Sequence, residues 1–68
     1  MNILDEVATL RSFPDHRLQK GQVGTVLEEL DGEHVLVEFA DMDGVAFTIT
    51  PISARYLIAL RRAPEILV

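Results

Sequence analysis

The sequence contains no cysteine and no tryptophan, and it has only three phenylalanines and one tyrosine in 68 residues. Without cysteine the chain has neither a disulfide nor a cysteine-ligated zinc, the two devices that stabilise many chains of this size. Positive charge is also scarce, because six Lys and Arg residues stand against eleven Asp and Glu, giving a formal net charge of −5. Nucleic-acid binding needs clustered positive charge to neutralise phosphates, so nucleic acid is not the partner we expect.

Long apolar runs are missing as well. A membrane-spanning helix needs about 18 or more consecutive apolar residues, and no segment approaches that length. Residues Met1 to Glu6 lack the basic region of a signal peptide, so we expect a cytoplasmic protein. At the same time 49% of the residues are hydrophobic, which excludes a disordered chain, and the length allows for one domain.

Apolar and polar residues alternate in short runs separated by turn signals, and this pattern predicts β-strands along the whole chain. Pro14 and Asp15 end the first run, and Leu18, the one apolar residue of the polar loop that follows, is expected to point inward. Pro51 is expected to end the fourth run. The predicted strands are 6–13, 23–30, 34–39, 45–50 and 56–60, and residues 52–55 fit a single helical turn.

Glycine marks the predicted turns. Gly21 and Gly24 are three residues apart and indicate either a positive φ or a close approach to another strand. Asp31-Gly32 predicts a tight hairpin turn, because both residues tolerate positive φ. Residues 41–44, Asp-Met-Asp-Gly, predict the next turn.

The alternation also predicts which side chains line the core. In the third and fourth strands one set of apolar residues shares a face, and we expect both phenylalanines of these sets to belong to the core. The last strand is apolar almost throughout, which is typical of a strand covered on both faces. The two sets are Val35, Val37 and Phe39 in the third strand, and Val45, Phe47 and Ile49 in the fourth.

Five short strands, a long first loop and two tight hairpins predict an all-β fold, a small five-stranded barrel with one short helical turn before the last strand. Partial closure into a barrel would hide the strand edges. An OB-fold is the nearest competitor, but it usually places a helix between its third and fourth strands, and the sequence leaves no room for one. The barrel domain is predicted over residues 1–62, followed by an apolar tail over residues 63–68.

The segment Lys20-Gly21-Gln22-Val23-Gly24-Thr25-Val26 resembles the Gly-x-x-Gly-Thr-Val pattern of SH3-like barrels, including the KOW modules of translation factors. Together with Leu4-Asp5-x-Val7-Ala8, Val37-Glu38-Phe39 and Asp43-Gly44, it resembles the bacterial domain-of-unknown-function family 4926 over about residues 3–60. The resemblance implies a small bacterial SH3-like barrel, and it implies no activity because the family has none assigned.

The residue types that carry catalysis or bind metals form no recognisable set, so we expect no catalytic residue, no metal and no cofactor. Asp41-x-Asp43-Gly44 resembles the start of a calcium loop, but Ile52 stands at the twelfth position, where such a loop needs a glutamate. His16 and His34 are the only histidines, and no cysteine is present to complete a zinc site.

The sequence holds more apolar residues than one small barrel can bury. Leu10, Leu36, Ile58 and Leu60 fall outside the proposed inward faces, and exposed apolar patches tend to mark contact surfaces. We therefore expect a non-catalytic protein–protein interaction module that binds another protein or itself, as a homo-oligomer or an accessory subunit. The predicted contact residues are Phe13, Leu18, Tyr56, Arg61, Ile66, Leu67 and Val68.

Three other functions remain open from the sequence. An acidic chain of this size could be an antitoxin or immunity-type partner that masks the basic site of a companion protein. The KOW resemblance leaves an RNA- or ribosome-associated module. The chain could also be an enzyme subunit that contributes a loop to the active site of another chain.

Overall fold

The computed structural model describes residues 1–60, which form one antiparallel sheet of five strands in the order β4-β3-β2-β1-β5. The all-β class and the short helical turn before the last strand are confirmed. The sheet is not closed, because within residues 1–60 no pairing joins β4 to β5, so the predicted barrel closure is not confirmed. The strands are β1 Glu6–Thr9, β2 Val23–Glu29, β3 His34–Ala40, β4 Ala46–Ser53 and β5 Leu57–Ala59, with 3₁₀ turns at Pro14–His16 and Ala54–Tyr56.

Arg61 and the predicted tail over residues 63–68 lie outside the described residues. Among the residues that the structure describes, no helix is long and apolar enough to cross a membrane.

One face of the sheet carries the core. The predicted inward set of β3, Val35, Val37 and Phe39, is buried as expected. Leu18 also points inward as predicted, since only 2% of its surface is exposed. Each buried aliphatic or aromatic side chain contributes roughly 1.5–3 kcal/mol. The complete cluster is Val7, Leu18, Val26, Val35, Val37, Phe39, Ile52 and Leu57.

The two predicted reasons for a glycine, a positive φ and a close approach to another strand, apply to Gly21 and Gly24 respectively. Gly21 has a positive φ of 83°, which ends the first loop at the start of β2. Gly24 lies on the core face, where a Cβ would stand 2.7 Å from Cδ1 of Phe39 and 2.7 Å from Cγ1 of Val37. A residue without a side chain is therefore what lets the Phe39 ring lie across β2.

The pairing of β4 with β3 corrects the predicted faces of the fourth strand. Residues directly opposite each other in an antiparallel pair share a face, so the core face of β3 assigns Thr48, Thr50 and Ile52 of β4 to the core. Phe47 and Ile49 therefore lie on the outer face, where 38% and 53% of their surfaces are exposed. The expectation that Phe47 belongs to the core is wrong. The deciding pairs are Phe39 with Thr48, Val37 with Thr50, and Val35 with Ile52.

Pro51 does not end the fourth strand, because β4 continues through it to Ser53. The N–H of Ala54 donates to the C=O of Glu33 at 2.7 Å, which identifies these two residues as a hydrogen-bonded pair. Such pairs alternate along the ladder with pairs that are not hydrogen-bonded. From Thr48 to Ile52 the backbone groups of the even-numbered residues form hydrogen bonds to β3, while the backbone nitrogens of Ile49, Pro51 and Ser53 point away from β3. A proline at such an edge position costs no ladder bond.

The last strand is not covered on both faces as predicted. Leu57 is buried, but 51% of Ile58 and 39% of Leu60 are exposed. The physical reason is the position of β5 at the edge of the sheet formed by residues 1–60, in which it pairs with β1 alone and its outer face is exposed.

A side chain, not positive φ, forms the first hairpin turn. Neither Asp31 nor Gly32 has a positive φ, so the predicted turn type is wrong. The Asp31 carboxylate instead accepts the backbone N–H groups of Glu33 at 2.7 Å and His34 at 2.8 Å. The bond from Glu33, followed by the bond from the His34 side chain, holds the pKa of Asp31 below its usual value.

Candidate interaction surface

Phe13 and Tyr56, two of the predicted contact residues, meet although they are far apart in the sequence. Their ring centroids are 6.0 Å apart with the ring planes at 72°, an edge-to-face arrangement. The N–H of Leu10 donates to the C=O of Tyr56 at 2.7 Å, which brings the end of β1 against the turn that precedes β5. Both rings also pack against the core, so part of each is already used for folding.

Arg11 completes this aromatic cluster, which we define as Arg11, Phe13 and Tyr56. Its guanidinium carbon lies 4.6 Å from the centre of the Phe13 ring and 4.5 Å from that of Tyr56. A cation at this distance from a ring face is stabilised by the ring quadrupole. Nothing in the local sequence around Arg11 indicates the contact with Tyr56.

Leu18 is not available as a contact residue. Its N–H and C=O pair with the backbone of Phe13, at 3.1 Å and 2.8 Å, and this bridge turns its side chain into the core. The prediction that Leu18 points inward is therefore confirmed, and its assignment to a contact surface is withdrawn for the same reason. The other predicted contact residues, Arg61, Ile66, Leu67 and Val68, lie outside the described residues.

The sequence prediction missed a group of exposed apolar side chains on and beside β4. For Phe47 and Ile49 the exposure follows from the face assignment of β4, which turns its larger apolar residues outward. Thr48 and Thr50 alternate with Phe47 and Ile49 before Pro51, so the sequence leaves open which of the two sets faces outward. Only the pairing of β4 with β3 decides between them. We define the β4 apolar surface as Val23, Met42, Val45, Phe47 and Ile49.

A groove of about 460 Å³ lies within this surface. One wall is the loop of residues 19–22 with Val23, and the other is the hairpin that joins β3 to β4, with Met42 and Phe47. Lys20 and Asp41 contribute one charge of each sign to the lining. The groove is thus open, lined by both polar and apolar groups, and close to neutral, unlike the strongly acidic chain as a whole.

Thr9 fixes the first wall of the groove. This buried hydroxyl donates to the C=O of Gln19 at 2.8 Å and accepts the N–H of Gln22 at 3.0 Å. The backbone of Thr9 adds two bonds, to the C=O of Gln22 at 3.0 Å and from the N–H of Gly21 at 2.7 Å. The loop is therefore anchored to β1 at four points.

We expect Thr9→Val, which keeps the shape and removes the hydroxyl, to lower the free energy of unfolding by about 1–3 kcal/mol. The loss arises because the C=O of Gln19 and the N–H of Gln22 each lose a hydrogen bond to the buried Thr9 hydroxyl. Chemical denaturation monitored by circular dichroism measures it. Thr25→Val, at a half-buried position on the outer face of β2, is the matched control and is expected to change stability little. Equal stabilities of the two variants would contradict this role of Thr9.

The second wall is held by Asp41. Its carboxylate accepts the N–H groups of Asp43 at 2.9 Å and Val45 at 3.0 Å, so one side chain closes the turn. Gly44 supplies the positive φ of 79° that reverses the chain, as its place in the predicted turn suggests. Among residues 1–60, no group of three or more His, Asp or Glu side chains is placed to hold a metal ion.

The comparisons with known proteins give a family and no activity. No curated protein and no solved structure matches the chain. The model of the family described as Domain of unknown function (DUF4926) matches residues 3–59. The matched span contains all five strands, both walls of the groove and the aromatic cluster. Because it covers most of the 68 residues, the resemblance noted in the sequence is confirmed, and the chain belongs to the DUF4926 family.

Proposed function

We propose that the protein is a non-catalytic protein–protein interaction module of the bacterial cytoplasm, acting as a homo-oligomer or an accessory subunit through the β4 apolar surface. One observation carries this proposal: Val23, Met42, Val45, Phe47 and Ile49 are all exposed, and three of them, Val23, Met42 and Phe47, line one groove. Contiguous exposed apolar side chains on a small monomer mark a contact surface.

The distribution of charge supports the same conclusion. The apolar side chains are bordered by Glu38, opposite Ile49 in the sheet, and by Asp41 and Asp43 in the hairpin. An apolar centre with a polar rim is the usual anatomy of a protein–protein contact. Carboxylates at the rim also keep the free chain soluble through its net charge.

The aromatic cluster is the second proposed contact region. Phe13 and Tyr56 retain partial exposure beside Arg11, and aromatic residues with arginine are enriched in the parts of interfaces that contribute most energy. The same cluster weakens the RNA alternative, because Arg11 lies against the two ring faces that bases would stack on. Ile66, Leu67 and Val68 remain proposed contacts on the strength of the sequence.

The proposal is tested by immobilising the full chain and comparing it with a Val45→Lys, Phe47→Lys variant. We expect the wild type to retain either free copies of itself or a second protein from a bacterial lysate, at a level at least about tenfold above the variant. Circular dichroism of both proteins confirms that the substitutions, at two exposed positions, leave the fold intact. Equal retention by both proteins, or none by either, would refute the proposed function.

A further inference from the structure

Resting on the proposed function, we propose that the partner at the β4 apolar surface is a second copy of this chain, joined edge to edge by antiparallel pairing of β4 with β4 of the other copy. The pairing continues the sheet across a two-fold axis near Thr50, which is the commonest symmetry for a homodimer.

The chemistry of the edge is the first argument. β4 is the longest strand, with eight residues, and residues 45–54 contain no Asp, Glu, Lys or Arg, although 25% of the chain is charged. Proteins usually protect a free edge with charged side chains, above all lysine, because unpaired backbone groups there recruit other strands. The opposite edge, β5, is only three residues long. In the sheet that residues 1–60 form, the long edge without charged side chains is therefore β4.

The direction of the backbone groups is the second argument. Ala54 and Glu33 are a hydrogen-bonded pair, and hydrogen-bonded pairs occur at every second position of an antiparallel ladder. The N–H and C=O of Ile49 and the C=O of Pro51 therefore point away from β3. With the two-fold axis at Thr50, Ile49 of each copy lies opposite Pro51 of the other. The Ile49 N–H then donates to the Pro51 C=O across the axis, twice in the dimer. Pro51, which has no donor, is needed there only as an acceptor.

The side chains complement each other in the same register. Residues opposite in the new pair share a face, so the exposed Ile49 side chain packs on the Pro51 ring of the other copy on the outer face. Thr50 of one copy lies opposite Thr50 of the other on the core face. Each of these contacts joins neutral groups. A strand that pairs with a copy of itself must be neutral, because any charged side chain would approach the same charge of the other copy.

The net charge does not oppose this pairing. Glu38, opposite Ile49, is the carboxylate next to the edge, and two copies of it are separated by three strand spacings, about 14 Å. The screening length is about 10 Å at 0.1 M ionic strength, so their repulsion is largely screened. The other carboxylates near this end, Asp41 and Asp43, belong to the hairpin and not to the strand.

Sedimentation of the full chain and of three variants tests the dimer. The wild type is expected to rise from 7.6 kDa towards twice that mass with concentration. Ile49→Pro removes the outward N–H without removing a bond to β3, and Ile49→Lys adds a charge at the edge; each is expected to weaken association at least about tenfold. Ile58→Lys is the matched control, because Ile58 is 51% exposed against 53% for Ile49 but lies on β5. It should associate like the wild type.

Hydrogen exchange gives a second readout that does not depend on a variant folding. We expect exchange of the Ile49 amide to slow as the wild-type concentration rises, while the rates for residues of β5 stay constant. A mass of 7.6 kDa up to about 1 mM would overturn the dimer, as would association that Ile49→Pro leaves unchanged. A monomer that still captures another protein through Phe47 would overturn the dimer and leave the interaction function standing. A monomer that captures nothing would overturn both.

Discussion

Phe39→Ala is expected to leave the chain unfolded or barely folded at room temperature. Removing a fully buried phenylalanine costs about 3–5 kcal/mol, and a single core in a chain of this size rarely supplies more than about that amount in total. Phe39 is completely buried at the centre of the sheet, where its ring covers Gly24 and packs with the valines of β2 and β3. No disulfide is present to hold the rest of the chain together.

The chain supplies its own control for this experiment. Phe47→Ala removes the same side chain from a position that is 38% exposed on the outer face, and we expect a loss of about 1 kcal/mol or less. Thermal and urea unfolding, followed by circular dichroism, measure both variants. Similar losses at the two positions would show that the outer face is packed in solution, and would contradict both the face assignment of β4 and the proposed contact surface.

Gly24→Ala is expected to lower the free energy of unfolding by about 1–3 kcal/mol, although it adds only one methyl group. The new Cβ would lie 2.7 Å from Cδ1 of Phe39 and 2.7 Å from Cγ1 of Val37, closer than carbon atoms can approach without movement. Both neighbours are fully buried in the core cluster, so neither can yield into solvent.

Gly32→Ala is the matched control for this substitution. A Cβ at Gly32 would meet no heavy atom within 4 Å, and its φ is not positive. Because alanine also restricts the unfolded chain, the control is expected to be neutral or to stabilise by up to about 1 kcal/mol. Denaturant titration of the two variants side by side gives the difference. A Gly24→Ala protein as stable as Gly32→Ala would show that the Phe39 ring can shift at little cost.

The parts of the fold that local pattern determines could be predicted from the sequence. Val35, Val37 and Phe39 make one face of the strand entirely apolar, whereas the opposite face includes His34 and Glu38, and a strand with this pattern buries its apolar face. Leu18 is the one apolar residue in a polar loop, so its inward position follows from hydrophobicity alone. The turn at Gly44 needed only a residue that accepts positive φ.

The fourth strand could not be assigned in this way, because both of its faces are plausible cores. Phe47 and Ile49 are more hydrophobic than Thr48 and Thr50, yet the threonines lie inward. The register with β3 decides the faces, and register is a property of two strands together. A proline is expected to end a strand, which holds for a central strand but not for an outward position on an edge strand.

The candidate surface was missed for the same reason. The sequence pattern places its main side chains, Phe47 and Ile49, on the inward face of β4, so the expected apolar surplus falls on other residues, among them Leu10, Leu36, Ile58 and Leu60 and the C-terminal residues. Phe13 and Tyr56 are predicted contact residues, and both are partly exposed, but the contact of Tyr56 with Arg11 joins segments more than forty residues apart. No local pattern carries that information.

The strand order has a consequence for how the chain folds. β2, β3 and β4 follow one another through short turns closed by Asp31 and Asp41, so their contacts are local and form early. The pairing of β5 with β1 instead joins Leu57–Ala59 to Glu6–Thr9, and closing that long loop costs the most chain entropy. We expect formation of the β1–β5 pairing to limit the folding rate, and this pairing to be the first part of the sheet to open when the native protein fluctuates.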